Sequence, residues 1–224
     1  VQQTEYPELP PTEYLSNQLA SLLGLDVPSF FYILFQGTMH AFVSQNIIDL
    51  NQGGTLDHIY HFFKNDEDLA CKDLIDVILR ETGSLFEAVR FIELVLFDSL
   101  IGNHDRHGRN LAILMNSGKK KQLSPFYDNP SYLGIEAESL LEAQHEPRGA
   151  IRTRASKIPL MRDYVQEFTD LGYKDFVERF HKKVTSRSKK IFTIIEQSFI
   201  SEKRKRAFMT LVERRLQELE NAVT

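Results

Sequence analysis

The sequence has one cysteine, Cys71, among 224 residues. A single thiol excludes an internal disulfide framework and fits a reducing compartment, so we expect a cytoplasmic protein. No apolar run reaches the roughly 18 uncharged residues that a membrane-spanning helix needs, and no signal peptide is visible. The first residue is Val1 rather than methionine, which suggests a fragment of a longer chain.

Neither sign of charge dominates the chain as a whole, because the formal net charge is only −4. The distribution is uneven: residues 1–147 hold 9 Lys and Arg against 21 Asp and Glu, whereas residues 148–224 hold 18 against 10. A basic last third suits an acidic partner, a nucleic acid or an anionic membrane. The clusters 203–206 and 214–215 alternate with glutamates in helical patterns, which favours a solvated face that pairs with the acidic part of the same molecule. We therefore expect no direct nucleic-acid binding, although the basic surface of 148–215 leaves nucleic-acid binding open.

The polar stretch 102–110, with the sequence GNHDRHGRN, lies between the apolar segments 85–100 and 111–114. Asp105 lies in this glycine-flanked loop, Asn110 follows five residues later, and Asp128 comes after a hairpin-sized segment. This order matches the catalytic and metal-binding loops of protein kinases. Phosphoryl transfer needs a carboxylate to orient a hydroxyl and oxygen ligands to hold Mg²⁺. The pattern therefore predicts a phosphotransferase.

Two segments resemble the motifs of the HipA-like serine/threonine toxin kinases. These are 103–110 (NHDRHGRN) and 127–131 (YDNPS), and the resemblance runs from about Pro10 to the C-terminus. The Asp-Arg-His-x-x-Asn core is also similar to that of phosphatidylinositol kinases, so it marks the wider superfamily better than it marks a substrate.

The resemblance implies a role for each polar side chain of the two loops. Asp105 is the catalytic base, and Asn110 and Asp128 bind Mg²⁺. His107 lies beside the phosphates of ATP, where it or Arg109 stabilises charge. ATP and Mg²⁺ are the implied cofactors. The implied substrate is a protein such as a translation factor or an aminoacyl-tRNA synthetase, with an antitoxin encoded alongside.

The expected fold is α+β and protein-kinase-like, with a helical large lobe and a partial small lobe. Residues 1–48 are assigned to the partial small lobe and 49–224 to the large lobe. A helix from Pro10 and a hairpin of strands 30–35 and 39–47 form the small lobe. In the large lobe we predict a hairpin over 111–124, an irregular segment at 131–159, and helices near 57–64, 67–80, 84–101, 159–171, 173–185, 187–199 and 202–222.

Further nucleotide contacts are predicted in the small lobe. Glu13 is the candidate to pair with a phosphate-binding lysine; alternatively it is a carboxylate favoured by the dipole at a helix N-terminus. Chain order places Gln45, Asn46 and Ile47 at the hinge, where backbone groups would meet adenine.

The glycine-rich phosphate loop and the strand lysine of a complete kinase are missing before Glu13. Either they were removed or disordered, or another polypeptide supplies them, so we expect this chain alone to bind ATP poorly. The regulatory serine of the family, which lies in the phosphate loop, is missing with it. Ser156, in an Arg-Ala-Ser-Lys context, is a candidate phosphorylation site.

Histidines suggest a rival function, the metal site of a hydrolase. His104, Asp105 and His107, with His58 and His61 at helical i, i+3 spacing, would supply its ligands. A hydrolase site of this kind leaves the second aspartate and the asparagine of the two motifs unexplained.

A pseudokinase and a lipid kinase would both keep the kinase fold. A pseudokinase or binding module completed by a partner protein would explain the missing strands, but not the intact set of Asp105, Asn110 and Asp128. A phosphoinositide-type lipid kinase would suit the basic last third.

Overall fold

The structure is a computed structural model that describes residues 6–50, 54–63, 69–142 and 146–223. Its first helix, α1, spans Leu9–Leu22 and has proline in its first turn. The backbone N–H groups of a first turn have no partner within the helix, so the N–H that proline lacks costs no hydrogen bond there. Leu15 and Leu19 are buried along one stripe. The chain leaves the helix through Gly24, which has a φ of +73°. The helix predicted from Pro10 to Gly24 is therefore confirmed.

The predicted small-lobe hairpin consists of β1, Phe30–Phe35, and β2, Met39–Ser44. The strands are antiparallel, with Phe30 opposite Ser44 and Phe35 opposite Met39. Gln36 and Gly37 both have positive φ, the backbone that a tight hairpin turn requires. Contrary to the expectation for 39–47, the second strand ends at Ser44, and a short helix, α2, follows at Ile47–Leu50.

The hairpin is fixed to the rest of the molecule by stacked aromatic rings. Tyr32 lies 4.9 Å from Phe199, in the connection near the C-terminus, and 5.6 Å from Tyr14 of α1, measured between ring centroids. The hairpin therefore packs directly on α1 and on the connection that contains Phe199.

A three-stranded antiparallel sheet lies beside residues 102–110, the predicted catalytic loop. Its order is β3, Thr55–His58, then β4, Ala112–Met115, then β5, Lys121–Leu123. The hairpin predicted over 111–124 is thus confirmed. The helix predicted at 57–64 is wrong, because β3 pairs with β4 and a 3-10 turn at Ile59–Phe62 follows. Residue 64 of that prediction lies outside the described residues.

Two helices lead to the catalytic loop. They are α3, Cys71–Thr82, and α4, Leu85–Ile101. Each ends at a glycine with positive φ, Gly83 or Gly102, which closes the last turn without a Cβ clash. The side chains of α4 are buried over most of its length, and it packs against α3 and the C-terminal helices. The helices predicted at 67–80 and 84–101 are therefore present, although the first of them begins at Cys71. Residues 67 and 68 of that prediction lie outside the described residues.

After the sheet come a 3-10 turn at Tyr132–Gly134 and four helices. The helices are α5, Glu138–Glu142, α6, Met161–Asp170, α7, Lys174–Glu196, and α8, Glu202–Val223. The expectation of two helices at 173–185 and 187–199 is wrong. Val184 and Ile191, seven residues apart, are both buried, so one continuous apolar stripe runs through the predicted break. In its described residues, 131–142 and 146–159, the segment predicted to be irregular has no other helix than the 3-10 turn and α5.

The basic residues at the start of α8 are bound to the segment that follows the second motif. Arg204 is buried and donates to the carbonyl oxygens of Leu133 at 2.6 Å and Glu136 at 3.0 Å. Lys203 bridges Glu138 and Glu142 of α5. This geometry agrees with the expectation that these cations pair within the molecule.

Within the described ranges, none of the helices combines the length and the apolarity needed to cross a bilayer.

Candidate active site

A buried ion pair lies beneath the catalytic loop. Arg106 is 2% exposed, and its Nε and Nη2 donate to the two carboxylate oxygens of Asp98 at 2.8 and 2.9 Å. Burial alone would lower the pKa of Arg106, but the charge and hydrogen bonds of Asp98 outweigh it and raise that pKa. Arg106 is thus a permanent cation within the core.

The remaining bonds of Arg106 join the two sequence motifs. Nη1 donates to the carbonyl oxygens of Tyr127 at 2.8 Å and Asn110 at 3.3 Å. Nη2 also donates to Oδ1 of Asn129 at 2.6 Å. One side chain therefore holds the catalytic loop against the loop that carries Asp128.

Asp105 lies at the exposed surface of the catalytic loop. Its backbone N–H donates to Oδ1 of Asn103 at 3.0 Å, and Nδ2 of Asn103 donates to Asp98 at 2.9 Å. Asp98 therefore binds the side chains of both Asn103 and Arg106, which flank the backbone of Asp105. These bonds fix that backbone, while the Asp105 residue itself is exposed to solvent.

Asn110 and Asp128, the two predicted Mg²⁺ ligands, lie close together. The buried Asn110 donates from Nδ2 to the backbone oxygen of Asp105 at 3.2 Å, and its side chain is near enough to the carboxylate of Asp128 to lower the pKa of that group. Asp128 has a φ of +54°, which aspartate tolerates better than most residues. The structure thus brings the three motif residues together around one space.

The carboxylate of Asp128 lies in a field of mixed sign. Part of the residue is exposed to solvent, but surrounding groups desolvate its carboxylate. This desolvation and, to a smaller extent, the negative charge of Asp105 raise the pKa of the Asp128 carboxyl. Arg106, His107 and the Asn110 side chain oppose the rise. Burial also raises the pKa of the neighbouring Tyr127 to about 12, so its hydroxyl is neutral.

Glu13 of α1 reaches the same space. Burial and the negative charge of Asp128 raise its pKa to about 7, and the backbone N–H of Asn129 and the charge of Arg106 oppose this rise. Glu13 is the fifth residue of α1, beyond the first turn. A helix-dipole role at the N-terminus is therefore wrong, since that effect is confined to the first turn.

A chain of amide side chains links α1 to the second motif. Nδ2 of Asn129 donates to Oδ1 of Asn17 at 3.1 Å, and Nδ2 of Asn17 donates to the carbonyl oxygen of Glu13 at 2.9 Å. Because Asn129 is also bound by Arg106, the hydrogen bonds run from α4 to α1 without interruption.

His107 and Arg109 lie on the exposed side of the catalytic loop. Nδ1 of His107 accepts from the backbone N–H of Arg109 at 3.3 Å, and the Arg109 guanidinium lies 5.7 Å from the ring centre of Tyr60. Gly108 makes this approach possible, because a Cβ there would lie 2.8 Å from that of Tyr60.

The predicted hinge residues have local hydrogen bonds. The backbone N–H of Gln45 donates to Ser29 at 2.8 Å, so it is not available to adenine. Oδ1 of Asn46 accepts from Ile48 at 3.0 Å, and Ile47 is buried in α2. The predicted adenine contact at these positions stays a prediction, without the Gln45 donor.

The histidines are not arranged as a metal site. In the described part of the chain, no group of three or more His, Cys, Asp or Glu residues is placed to hold a metal ion. His58 and His61 lie on β3 and a 3-10 turn, 6.5 Å apart between ring centres, rather than on one helix. Nδ1 of His58 lies 3.3 Å from the hydroxyl of Tyr127.

The sequence reasoning missed the residues that hold the site together. No role was predicted for Asp98, Asn17 or Asn129. Arg106 was noted only as part of the motif 103–110, without a structural role of its own. Asp98 did carry a signal, because it is a lone aspartate near the end of the apolar stretch 85–101. A carboxylate in such a position is expected to have a buried cationic partner.

Comparison with known proteins identifies the chain. The profile of the HipA-like C-terminal domain matches residues 1–198, whereas a search among curated proteins gave no match. The solved proinflammatory kinase CtkA of Helicobacter pylori is similar, with a TM-score of 0.79 at 17% identity over 97% of this chain and 87% of that one. HipA of Shewanella oneidensis, solved with HipB and operator DNA, gives 0.60 at 13% identity over 96% of this chain and 56% of that one.

These two likenesses show a common fold, the α+β kinase-like fold expected from the sequence. The profile covers most of the chain, and the chain therefore belongs to the family of HipA-like C-terminal domains.

Proposed function

We propose that this chain is the catalytic lobe of an ATP- and Mg²⁺-dependent serine/threonine protein kinase. The observation that carries the proposal is the convergence of Asp105, Asn110 and Asp128 on one space, with Arg106 bound to both loops. Membership of the HipA-like family and the kinase CtkA among similar structures support a kinase-type activity.

The residues present fit a magnesium ion. The Nδ2 group of Asn110 donates to the backbone oxygen of Asp105, which leaves its amide oxygen to act as a ligand beside the carboxylate of Asp128. Mg²⁺ prefers such oxygen ligands and keeps several waters or phosphate oxygens in its remaining positions. When bound, Mg²⁺–ATP would supply the transferred phosphoryl group and neutralise its charge.

Asp105 is proposed as the catalytic base. Its exposed carboxylate would accept a hydrogen bond from a serine or threonine hydroxyl and then take the proton as that oxygen attacks. Asn103, itself bound to Asp98, holds the backbone of Asp105, so the Cα position from which the carboxylate extends is fixed. His107 and Arg109, on the same exposed edge, would stabilise negative charge on the phosphates.

The small lobe of this kinase would be completed by further strands and a lysine. Glu13 has a raised pKa and would gain a cationic partner from that lysine. The outward face of the hairpin presents Phe31, 60% exposed, and Phe35, 49% exposed. Additional strands from this protein or from a partner would cover that face.

The substrate, partner and compartment follow as proposals from the family. We propose a protein substrate of the translation machinery and an antitoxin partner, in line with the HipA neighbour that was solved with HipB. We also propose a cytoplasmic location, and a lobe boundary near residues 48 and 49.

The experiment is transfer of γ-phosphate from Mg²⁺–ATP. It uses this chain alone, then the chain with its native upstream sequence or a neighbouring small protein restored, and Asp105→Asn in every combination. We expect transfer upon restoration and a loss of about 10²-fold or more in Asp105→Asn, the range for a lost general base. Asp57→Asn, an exposed aspartate on β3, is the matched control. Absence of transfer in every combination, with the protein folded, would contradict the proposal and favour a pseudokinase.

A further inference from the structure

The exposed face of α7 is basic without compensation. From Arg179 to Ile195 this helix has six Lys and Arg residues and no Asp or Glu. Arg179, Lys182, Lys189 and Lys190 are all exposed, and their successive spacings of three, seven and one residues place them on one side of the helix. We call these four residues the α7 stripe.

Acidic neighbours do not neutralise the α7 stripe. Among the described residues, the ion pairs of α7 are Lys174–Glu178 and Lys183–Glu93, and neither involves a residue of the stripe. This is the opposite of α8, where Lys203 bridges two glutamates and Lys205 pairs with Glu202. The sequence-level argument that the basic residues pair internally therefore holds for α8 but not for α7.

The phosphate contacts of this face come from its cations. The exposed hydroxyls of Ser186 and Thr193 on the same side of α7 donate to the backbone oxygens of Lys183 and Lys189. Lysine and arginine are among the side chains that contact phosphate oxygens in nucleic-acid complexes. From Arg179 to Lys190 the stripe extends about 17 Å at the rise of an α-helix, long enough to contact several phosphates in a row.

An apolar cavity opens at the N-terminal end of the α7 stripe. Its volume is about 620 Å³, and Arg179 of the stripe and Lys183 are part of its wall. Three phenylalanines, Phe86, Phe126 and Phe176, also line it. A cavity of this size accommodates a small planar ligand.

The cavity wall presents stacking surfaces to a ligand. Phe86 is 68% exposed, which is unusual for a phenylalanine. The guanidinium of Arg179 lies 4.2 Å from the ring centre of Phe176. The two carboxylates in the wall are already paired, Asp26 with Arg90 and Glu93 with Lys183.

We propose that α7 and this cavity form a binding site for single-stranded nucleic acid, with the phosphates along the α7 stripe and an unstacked base in the cavity against Phe86. Proteins that bind single strands combine a basic track with aromatic surfaces on which bases stack. A duplex keeps its bases stacked inside and cannot place one in the cavity, so the site discriminates against it.

The test measures fluorescence anisotropy of a labelled 20-nucleotide single strand and of the corresponding duplex with the full chain, between 50 and 200 mM salt. Each phosphate contact contributes about −0.7 to the slope of log affinity against log salt for single strands. Lys182→Ala/Lys189→Ala/Lys190→Ala should therefore reduce the slope by about 2. Lys120→Ala/Lys157→Ala/Arg162→Ala removes three exposed cations elsewhere and should leave the slope unchanged.

Base stacking is tested separately by Phe86→Ala. Loss of one stacked base should weaken single-strand binding by about fivefold or more, with little effect on any duplex binding. Phe31→Ala, which changes a phenylalanine of similar exposure (60%) on the hairpin, is the control. The proposal is overturned if the chain does not bind the single strand, if both triple variants lose the same slope, or if Phe86→Ala and Phe31→Ala bind alike. Binding of the chain to anionic lipid vesicles but not to the single strand would also overturn it.

Discussion

Arg106 and Asp98 form a two-bond ion pair that is almost inaccessible to solvent, with donor–acceptor distances of 2.8 and 2.9 Å. The same guanidinium binds the Tyr127 carbonyl and the Asn129 side chain. The distance between the catalytic loop and the Asp128 loop is thus set by one buried cation, and that cation is neutralised from α4.

Removal of the Asp98 carboxylate should lower the free energy of unfolding. Asp98→Ala leaves Arg106 buried without its counter-charge, which typically costs about 3 to 5 kcal/mol. Urea denaturation measures the loss in free energy of unfolding. Asp76→Ala breaks a pair in which both side chains are more than half exposed, and it should cost at most about 1 kcal/mol. Equal effects of the two substitutions would show that Arg106 does not depend on Asp98.

Gly102 is expected to resist substitution at the start of the catalytic loop. It has a φ of +71°, and a Cβ would lie within 2.8 to 2.9 Å of Leu211, Pro147 and Tyr132. Gly102→Ala should therefore destabilise the protein by about 1 to 3 kcal/mol beyond the backbone strain alone. Gly83→Ala isolates that strain, because Gly83 has a φ of +65° and an open surrounding. Similar unfolding midpoints for the two variants would contradict this account.

Glu13 should make the stability of the chain fall as the pH rises. Its pKa is raised from 4.5 to about 7 in the folded state, so the folded state binds more protons than the unfolded state between these values. The destabilisation is absent below about pH 4.5, grows up to about pH 7 and is complete above it.

The measurement is chemical denaturation of Glu13→Gln between pH 5 and pH 8. We expect the variant to gain about 2 to 3 kcal/mol over the parent at pH 8 and less than about 1 kcal/mol at pH 5. Glu196→Gln, in the exposed last turn of α7, is the control. A pH-independent difference would show that the Glu13 carboxyl does not titrate in this range.

Asp128→Asn should raise the stability of the protein and lower its affinity for a divalent metal ion. Asparagine tolerates the positive φ of this position and removes a desolvated charge that Asp105 repels. We expect the melting temperature to rise by about 2 to 4 °C if about 1 kcal/mol is gained. Affinity for Mn²⁺, used as a paramagnetic probe for Mg²⁺, should fall about tenfold because a charged oxygen ligand is lost. Asp57→Asn should change neither value. A fall in both values for Asp128→Asn would assign it a structural role.

Local patterns predicted those elements whose residues need no distant partner. The apolar stripe of α1, the turn at Gln36–Gly37 and the helix 85–101 were all recognisable, because periodicity and turn residues act within a few positions. The strand at Thr55–His58 was not recognisable, since it forms by pairing with Ala112–Met115. The break expected near residue 186 was wrong because Val184 and Ile191 both pack into the core.

In the candidate site, too, the features set by neighbouring residues were predictable, and those that depend on distant partners were not. Asp105, Asn110 and Asp128 were found from residue type and spacing, because kinase chemistry restricts both. Arg106 was overlooked as a structural residue, since nothing in the neighbouring sequence shows that Asp98, Tyr127 and Asn129 meet it. Its role depends on contacts across 8 to 23 positions of the chain.

The sequence by itself determined the family, the main helices and the three polar residues at the centre of the candidate site, because these follow from local pattern and motif. Only the tertiary structure decided which charges are compensated. Arg106, Arg204 and Lys203 are bound by groups from other elements of the fold, whereas the α7 stripe forms no ion pair with the described residues. Electrostatic energy depends on distance and burial in three dimensions, and the order of residues does not contain that information.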